Sequence, residues 1–332
     1  MKLGVDLRLL PTDGSAGSGV PQAARELWEA LATCAWAYSI ELVTCRTNTL
    51  LTFQWGHKLD GWIVPSGAVS PWLRGKIYPW VHDVAIFGHP EWFPQSSFQR
   101  WRTTKLFTNG LKRAAHIFSV SETTKRDLMK QFGFTTKQIT ATGEGVTIGP
   151  ERHAWPKSVP EGVHYILALG TIEPRKNLEF LLEVWKRLRL QVGEDVKLVI
   201  AGKEGWGKRL DLSTTGVIHV GEFDNAERDA LIQYAVGVAV PSLYEGFGRV
   251  ALEAMAAGAP VLVSDRGALP EVVGKGGQVL PLEVDAWVAA FMPLFLDEDA
   301  RQTWSTKGLK RAQDWQWDRA AETMLARIQA DC

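Results

Sequence analysis

Two successive series of alternating strand and helix patterns constrain the fold of this chain more than any other feature. Short apolar runs in each series predict buried parallel strands. In the first series these runs lie at 3–9, 40–44, 61–64, 77–81 and 117–120. In the second series they lie at 165–170, 196–202, 217–220, 237–241 and 260–264. A proline-rich segment with little periodicity, residues 150–162, separates them. The pattern predicts an α/β fold with two doubly wound, Rossmann-like lobes facing a central cleft.

The length of 332 residues also favours two domains. We place the first lobe at 1–155, the second at 156–312 and a final helix within 313–332. Residues 1–155 carry 17 Lys and Arg against 12 Asp and Glu, whereas residues 156–332 carry 20 against 25. This uneven charge suggests that an anionic partner contacts the first lobe.

Several classes of protein do not fit the composition. Cys34, Cys45 and Cys332 are too few and too scattered for a metal site or a disulfide framework. The opening residues 1–6 lack the apolar region of a signal peptide, and no apolar run approaches the ~18 residues that span a bilayer. No motif or strongly basic domain indicates nucleic-acid binding. We therefore expect a cytoplasmic protein.

A loop between a predicted strand and a predicted helix, residues 244–255, carries the strongest signal for a binding site. Such a loop offers free backbone N–H groups and the positive end of a helix dipole, which suit a diphosphate. Gly246 and Gly248 allow close approach of a ligand to the backbone. Glu245 and Glu253 can accept hydrogen bonds from sugar hydroxyls. The residues alone leave open that Glu245 is a solvated loop charge and Glu253 an exposed helix residue.

Two adjacent cations, Arg175 and Lys176, follow another predicted strand end in the segment 170–177. They can neutralise a diphosphate leaving group in place of a divalent metal, so we expect neither a metal nor another cofactor. A solvated basic turn is the alternative. Asp297 and Asp299 form a D-x-D string, but they lie at a predicted helix start, where the helix dipole favours acidic residues. We interpret that string as structural.

His82 ends a predicted strand and is followed by Asp83. An imidazole there can hydrogen-bond a hydroxyl or manage a proton, although such a pair is more often structural. A glycine-rich loop at 14–22 contains Gly17 and Gly19. It fails the G-x-G-x-x-G register of a dinucleotide-binding loop, and a plain flexible loop is the alternative.

Together these segments resemble glycosyltransferase family 4, whose members have the GT-B fold. The loop at 244–255 matches the family's E-x7-E motif, and G-T-I-E-P-R-K-N at 170–177 matches its phosphate-binding stretch. The H-D…P-E-x-F segment at 82–93 and the glycine-rich loop match as well, so the resemblance covers almost the whole chain. Thr171 and Gln22 depart from it, because some members carry Arg at these positions.

The resemblance implies a role for each candidate residue. Glu245 would contact the transferred sugar, Glu253 the nucleotide ribose, and Lys176, with Arg175 as a second cation, the donor phosphates. His82 would contact the sugar from the first lobe. The other donor-binding residues that it implies are Gly17, Gly19, Gly170, Phe223, Phe247, Gly248, Arg249 and Val250.

The segment at 170–177, with E-G-F-G at 245–248, is similar to the mannosyltransferase-like branch of the family. This resemblance implies retaining, metal-independent transfer of a hexose from a nucleotide-diphosphate sugar, with GDP-mannose as the best candidate. The acceptor would be a glycan or a polyprenyl-linked saccharide in surface polysaccharide biosynthesis. The first lobe would take the acceptor, the second the donor, and the final helix would cross back to the first lobe. The alternatives are a GT-B epimerase or phosphorylase and a non-catalytic GT-B partner subunit.

The segment from 92 to 121 contains five basic residues, no acidic residue and several interleaved aromatic residues. A helix is predicted at 97–115. A basic amphipathic helix of this kind can lie on anionic lipid, so we expect peripheral membrane contact through 98–113. A solvated helix with a buried apolar side is the alternative.

Overall fold

The chain forms two compact units in the structure, which is a computed structural model. The residues described are 1–8, 10, 19–147 and 153–331. The first unit comprises Met1–Pro90, Gln95–Gly145 and Trp315–Cys332, and the second comprises Glu91–Pro94 and Val146–Asp314. The boundary predicted after residue 155 falls inside the second unit, and residues 148–152 lie outside the described part of the chain.

Strands and helices alternate through both units. The strands are β1 (Lys2–Asp6), β2 (Glu41–Cys45), β3 (Gly61–Val64), β4 (Lys76–Val81), β5 (Ile117–Ser119), β6 (Ile139–Ala141), β7 (Tyr165–Leu169), β8 (Lys197–Ala201), β9 (Val217–Val220), β10 (Gly237–Val240), β11 (Val261–Ser264) and β12 (Gln278–Leu280). The helices are α1 (Val20–Cys34), α2 (Leu50–His57), α3 (Ala85–Gly88), α4 (Ser97–Leu111), α5 (Glu122–Phe132), α6 (Leu178–Val192), α7 (Asn225–Gln233), α8 (Arg249–Ala256), α9 (Leu269–Val273), α10 (Val284–Leu296), α11 (Glu298–Ala312) and α12 (Trp317–Gln329).

The first unit is built on a parallel sheet in the order β2-β1-β3-β4-β5-β6. Its central strands are buried, because helices cover both faces of a parallel sheet. Trp62 and Trp80 are fully buried on β3 and β4. Gly61 is required where β3 meets β4, since a Cβ there would lie 2.1 Å from the Lys76 carbonyl oxygen. The amino ends of these two strands are therefore closely packed.

The last helix belongs to the first unit. α12 packs along α1, and its buried side consists of Ala320, Ala321, Met324, Leu325 and Ile328. These residues recur at helical spacing and form one apolar stripe. The start of the chain and its final helix thus share one core.

The second unit has a parallel sheet in the order β12-β11-β10-β7-β8-β9. The chain winds outward from β7 in one direction and from β10 in the other, so the strand order reverses between these two neighbours. Ligands of open α/β sheets bind outside the carboxyl ends of the strands at such a point. Trp185 of α6 and Trp287 and Phe291 of α10 are fully buried against this sheet.

The predicted doubly wound α/β architecture is confirmed for each unit. Two strands, β6 and β12, were not predicted from the sequence. Both are three-residue edge strands with partly exposed side chains, so they do not form an apolar run. The predicted helix at 97–115 ends at Leu111. It starts with a capping box, in which the side chains of Ser96 and Gln99 each bond the other residue's backbone N–H.

Three large apolar side chains of α4 face solvent. Phe98, Trp101 and Leu106 are 68%, 57% and 51% exposed. α4 nevertheless buries part of its apolar surface, because Leu111 is 1% exposed and Phe107 packs against a buried core cluster. The alternative of a buried apolar side therefore holds for that part of α4. No helix in the described part of the chain is both long enough and apolar enough to cross a membrane.

Candidate active site

The second unit brings two sequence motifs together where its strand order reverses. The turn Pro174–Lys176 comes shortly after β7, and the loop that contains Glu245 follows β10. The backbone N–H of Leu243 donates to the Arg175 carbonyl oxygen at 2.8 Å. Gly170, Lys176 and Ser242 also line a small cavity at these strand ends. The reversal of strand order thus joins motifs that lie far apart in the sequence.

Glu245 is the centre of this cluster. Its Oε1 accepts hydrogen bonds from the Lys176 ammonium at 2.7 Å and from the Ser242 hydroxyl at 2.8 Å. The Arg175 Nη1 lies 3.6 Å from the Glu245 Oε2. Glu245 is only 8% exposed, so it is not a solvated loop charge.

The surroundings of Glu245 keep its carboxyl ionised. Burial alone would raise its pKa above the ordinary value of 4.5. The charges of Lys176 and Arg175, with the hydrogen bonds from Lys176 and Ser242, outweigh burial and lower the pKa to about 2. The cluster is therefore a preorganised set of opposite charges at neutral pH.

Arg175 is held by a second carboxylate, that of Glu173, whose Oε1 lies 2.6 Å from the Arg175 Nε. Glu173 is itself buried, at 8% exposure. Ser264, at the end of β11, donates its hydroxyl hydrogen to the Ser242 carbonyl oxygen at 2.5 Å. Sequence reasoning assigned no role to Glu173, Ser242 or Ser264. Glu173 lies within the G-T-I-E-P-R-K-N match at 170–177, and both serines lie at or just after predicted strand ends.

Glu253 lies one turn into α8 and takes different partners. Its Oε1 is 3.1 Å from the Arg249 Nη2, and the charge of Glu253 contributes to a raised pKa of Arg228. The side chain of Glu253 is 16% exposed, so it is neither free in solvent nor fully buried. Gly248, the residue before α8, has a φ of 107°, a conformation that favours glycine.

The other residues predicted to bind donor on this unit lie near the same strand ends. Gly170 follows β7 with a φ of 130°, and a Cβ there would lie 3.6 Å from the Lys176 Nζ. Phe247 is buried, while Val250 is half-buried in the first turn of α8. Phe223, half-buried, follows β9. All four residues thus lie on segments that follow strands of this sheet.

His82 follows β4 in the first unit, as predicted from the sequence. Its Nε2 lies 2.8 Å from the Pro65 carbonyl oxygen, and its Nδ1 lies 3.4 Å from the Glu144 Oε1. Asp83 accepts a hydrogen bond from the Ala85 backbone N–H. Sequence reasoning missed Glu144, which is only 3% exposed.

The glycine-rich loop is only partly described. Gly17 lies outside the described residues. Gly19 precedes α1, and a Cβ there would meet no atom within 4 Å. Its φ of 70° is a backbone conformation that favours glycine. Gln22 donates to Glu26 within α1.

The D-x-D string lies at a helix start. Asp297 is the N-cap residue of α11 and accepts a hydrogen bond from the Asp299 backbone N–H at 2.9 Å. Among the residues that the structure describes, no three His, Cys, Asp or Glu side chains cluster closely enough to hold a metal ion.

Comparisons with known proteins agree with this geometry. Residues 151–311 match the family model described as "Glycosyl transferases group 1". This segment contains the Arg175-Lys176 turn and both glutamates of the E-x7-E motif. The matched part therefore lies almost entirely in the second unit.

Two curated relatives are mannosyltransferases. The "O-antigen chain mannosyltransferase B" of Escherichia coli is 29% identical over 252 residues, which cover 71% of this chain and 66% of that protein. The "MMP alpha-(1->4)-mannosyltransferase" of Mycolicibacterium hassiacum is 28% identical over 251 residues, which cover 71% of this chain and 59% of that protein. The chain thus spans slightly less than two thirds of each relative's length.

Similarity to a solved structure extends over the full chain. The sucrose-phosphate synthase of Thermosynechococcus elongatus superposes with a TM-score of 0.72 at 17% identity, covering 99% of this chain and 98% of that one. At this identity the similarity establishes the fold, which is GT-B.

Proposed function

We propose that the chain is a member of glycosyltransferase family 4 and that it transfers a hexose from a nucleotide-diphosphate sugar to a saccharide acceptor. One observation carries this proposal. Lys176 and Arg175 converge on the buried carboxylate of Glu245 at the point where the strand order of the second unit reverses. Paired cations at such a point suit a diphosphate.

We take GDP-mannose as the donor and a glycan or polyprenyl-linked saccharide as the acceptor, in surface polysaccharide biosynthesis. Support comes from the two relatives, which are named as mannosyltransferases, one of them acting on an O-antigen chain. In this proposal Glu253 binds the ribose and Glu245 orients the sugar. His82 hydrogen-bonds a hydroxyl of the transferred sugar.

The proposed reaction proceeds with retention and without a metal. The acceptor hydroxyl attacks the anomeric carbon on the face from which the phosphate departs. The bond between that carbon and the phosphate oxygen breaks, and the departing oxygen takes the acceptor proton. Lys176 and Arg175 stabilise the charge that develops on the diphosphate, and binding positions the two reactants.

A nucleotide screen tests the donor assignment. Purified protein is melted with GDP, UDP, ADP or dTDP, and GDP should raise the Tm most, because a ligand that binds only the folded state stabilises it. The protein should then release GDP from GDP-mannose when acceptor is supplied. The anomeric proton of the product, read by NMR, reports retention, and excess EDTA should leave the rate unchanged.

The same assay separates the alternatives. A non-catalytic partner subunit releases no nucleotide from any sugar donor. An epimerase changes the sugar nucleotide without acceptor, and a phosphorylase requires inorganic phosphate. Any of these three results would overturn the proposal.

Peripheral membrane contact through α4 belongs to the same proposal. The exposed Phe98 and Trp101 rings stack with centroids 6.0 Å apart, and the Lys105 ammonium lies 4.9 Å from the Trp101 centroid. Exposed aromatic rings beside basic side chains suit the surface of an anionic bilayer. This combination is the only support for the contact.

Vesicle sedimentation tests this contact. The protein should bind vesicles that contain phosphatidylglycerol, but not pure phosphatidylcholine, and salt should weaken the binding. Replacing both Phe98 and Trp101 by Ala should abolish sedimentation. Trp55→Ala, at another exposed tryptophan, is the matched control and should leave it intact. Equal sedimentation of the double variant would contradict the assignment to α4.

A further inference from the structure

The turn that follows β6 brings a buried carboxylate against His82. Glu144 lies in the sequence Gly143-Glu144-Gly145, and its side chain is 3% exposed. The His82 side chain is 11% exposed, with its Nδ1 facing the carboxylate. No motif of the first unit accounts for Glu144, because the residues that resemble the family there are His82 and the glycine-rich loop.

The His82 ring lies between two oxygen acceptors. The Pro65 carbonyl oxygen, 2.8 Å from Nε2, can only accept a hydrogen bond, so Nε2 must carry a hydrogen. An ionised carboxylate also only accepts, so Nδ1, which lies 3.4 Å from the Glu144 Oε1, faces a second acceptor. A ring with an acceptor at each nitrogen can donate to both only when both nitrogens carry a hydrogen.

Packing fixes the turn that presents Glu144. A Cβ at Gly143 would lie 2.6 Å from the Trp315 ring, and a Cβ at Gly145 would lie 2.2 Å from the Trp317 backbone nitrogen. Only glycines fit on both sides of Glu144. The residues that precede and begin α12 thus hold the carboxylate in place.

Packing also restrains the His82 ring. The Trp80 ring meets it edge-on with centroids 4.5 Å apart. Trp80 is itself anchored, since its Nε1 donates to the Thr142 hydroxyl at 2.9 Å and its ring contacts that of Trp317. Thr124 donates its hydroxyl hydrogen to the His82 carbonyl oxygen at 3.3 Å. The ring can therefore keep one orientation.

We propose that Glu144 is a positioning residue, which fixes the His82 ring and holds a proton on its Nδ1. This inference rests on the proposed function only in giving His82 a role in transfer. A neighbouring acid, Asp83, instead accepts from the Ala85 backbone. If Glu144 were purely structural, replacing it would not change the protonation of the His82 nitrogens. Its effect on turnover would then be the same with or without His82.

The first test is spectroscopic and needs no activity. In protein labelled with ¹⁵N at histidine, Nδ1 of His82 should be protonated at pH 7, and His82→Ala identifies its signals among the seven histidines. Glu144→Gln should move the Nδ1 resonance to that of an unprotonated ring nitrogen. The exposed control Glu41→Gln should not move it. An unprotonated Nδ1 in the unchanged protein, or identical spectra in Glu144→Gln, would overturn the proposal.

The second test is a double-mutant cycle on transfer. Glu144→Gln should lower kcat about tenfold while the donor KM changes less than twofold. In the His82→Ala background the same change should have less than a twofold effect, because Glu144 acts through His82. An equal effect in both backgrounds would contradict the positioning role.

Glu144→Asp keeps the charge and serves if Glu144→Gln does not fold. The shorter carboxylate should keep Nδ1 protonated and recover part of the lost kcat; an Nδ1 that loses its proton in Glu144→Asp would contradict the proposal. If His82→Ala retains full transfer, the role of His82 in the proposed function fails. The nitrogen spectra then still decide the relation between Glu144 and His82.

Discussion

The two units each contain a buried carboxylate that follows a parallel strand and meets a basic side chain. Glu245 in the second unit contacts Lys176 at 2.7 Å, with Arg175 at 3.6 Å and a serine hydroxyl at 2.8 Å. Glu144 in the first unit meets the imidazole of His82 at 3.4 Å. The first carboxylate meets an ammonium and a guanidinium, whereas the second meets an imidazole.

This difference separates two kinds of buried charge. Around Glu245, fixed cations hold an anion that is ionised over the whole physiological range, as its pKa of about 2 indicates. Such a cluster provides electrostatic stabilisation without proton exchange. The pair of Glu144 and His82, by contrast, joins a carboxylate to an imidazole within a small packed region. Fixed cations suit a diphosphate, whereas a carboxylate beside an imidazole suits a hydroxyl group.

The largest effect should come from removing a fixed cation. We expect Lys176→Ala to lower kcat by about 10²- to 10³-fold, because a charge that stabilises the leaving diphosphate is lost. Lys208→Ala, whose side chain is 84% exposed in the same unit, is the control and should retain activity. Kinetics with GDP-mannose and thermal melting measure the two effects. Near-normal turnover in folded Lys176→Ala would contradict the role of this cluster.

Replacing Glu245 should reveal how much its charge contributes to the free energy of unfolding. The lowered pKa of Glu245 means that its ionised form stabilises the folded state fully above pH 4.5, and that this stabilisation declines as the pH falls toward 2. Glu245→Gln should therefore cost about 3 kcal/mol at pH 7, and the difference from the unchanged protein should narrow below pH 4.5. Urea unfolding at several pH values measures it. A difference that does not depend on pH would exclude the charge as its cause.

A glycine substitution tests the packing that presents Glu144. Gly145→Ala should destabilise the first unit by about 2 kcal/mol, because the added Cβ would lie 2.2 Å from the Trp317 backbone nitrogen, which cannot move alone. The control is Gly56→Ala in α2, where a Cβ meets no atom within 4 Å. Urea unfolding compares the two variants. Equal stability would mean that the turn can shift away from α12.

The smallest effect concerns a third buried group, His116 of the first unit. Burial, together with the charge of Arg327 and against the opposing charge of Asp331, lowers its pKa from 6.5 to about 4. The neutral ring therefore stabilises the fold fully above pH 6.5, and this contribution is lost as the pH falls toward 4. In His116→Gln, the decrease in the free energy of unfolding between pH 6.5 and pH 4 should be smaller by roughly 1–2 kcal/mol. The exposed His57→Gln is the control, and tryptophan fluorescence across this pH range reads the result. If His116→Gln loses as much stability on acidification as the unchanged protein, the assignment of this effect to His116 is wrong.

Much of the fold could be predicted because buried parallel strands form apolar runs. The runs at 77–81, 165–170 and 237–241 end where His82, the Lys176 turn and the Glu245 loop begin. The edge strands β6 and β12 could not be predicted in this way, since solvent on one side permits polar residues. Because β6 was not predicted, the turn after it, which contains Glu144, was not recognised either.

The contacts within each site were less accessible to sequence reasoning. The motifs predicted that Arg175 and Lys176 follow a strand end, but not that both pair with Glu245. That pairing depends on β7 and β10 being neighbours, which only the sheet order reveals. Likewise, Glu144 approaches His82 because the turn after β6 packs under Trp315 and Trp317. The spacing along the chain contains no signal for either contact.

The packing of α12 on α1 has a consequence for how the protein is made. The ribosome produces α1 before the second unit and α12 after it, so the first unit cannot complete its core until the second unit has been synthesised. The second unit is continuous apart from Glu91–Pro94 and can fold in the meantime. The unit synthesised first should therefore be the last to mature, and α1 requires protection from aggregation during that interval.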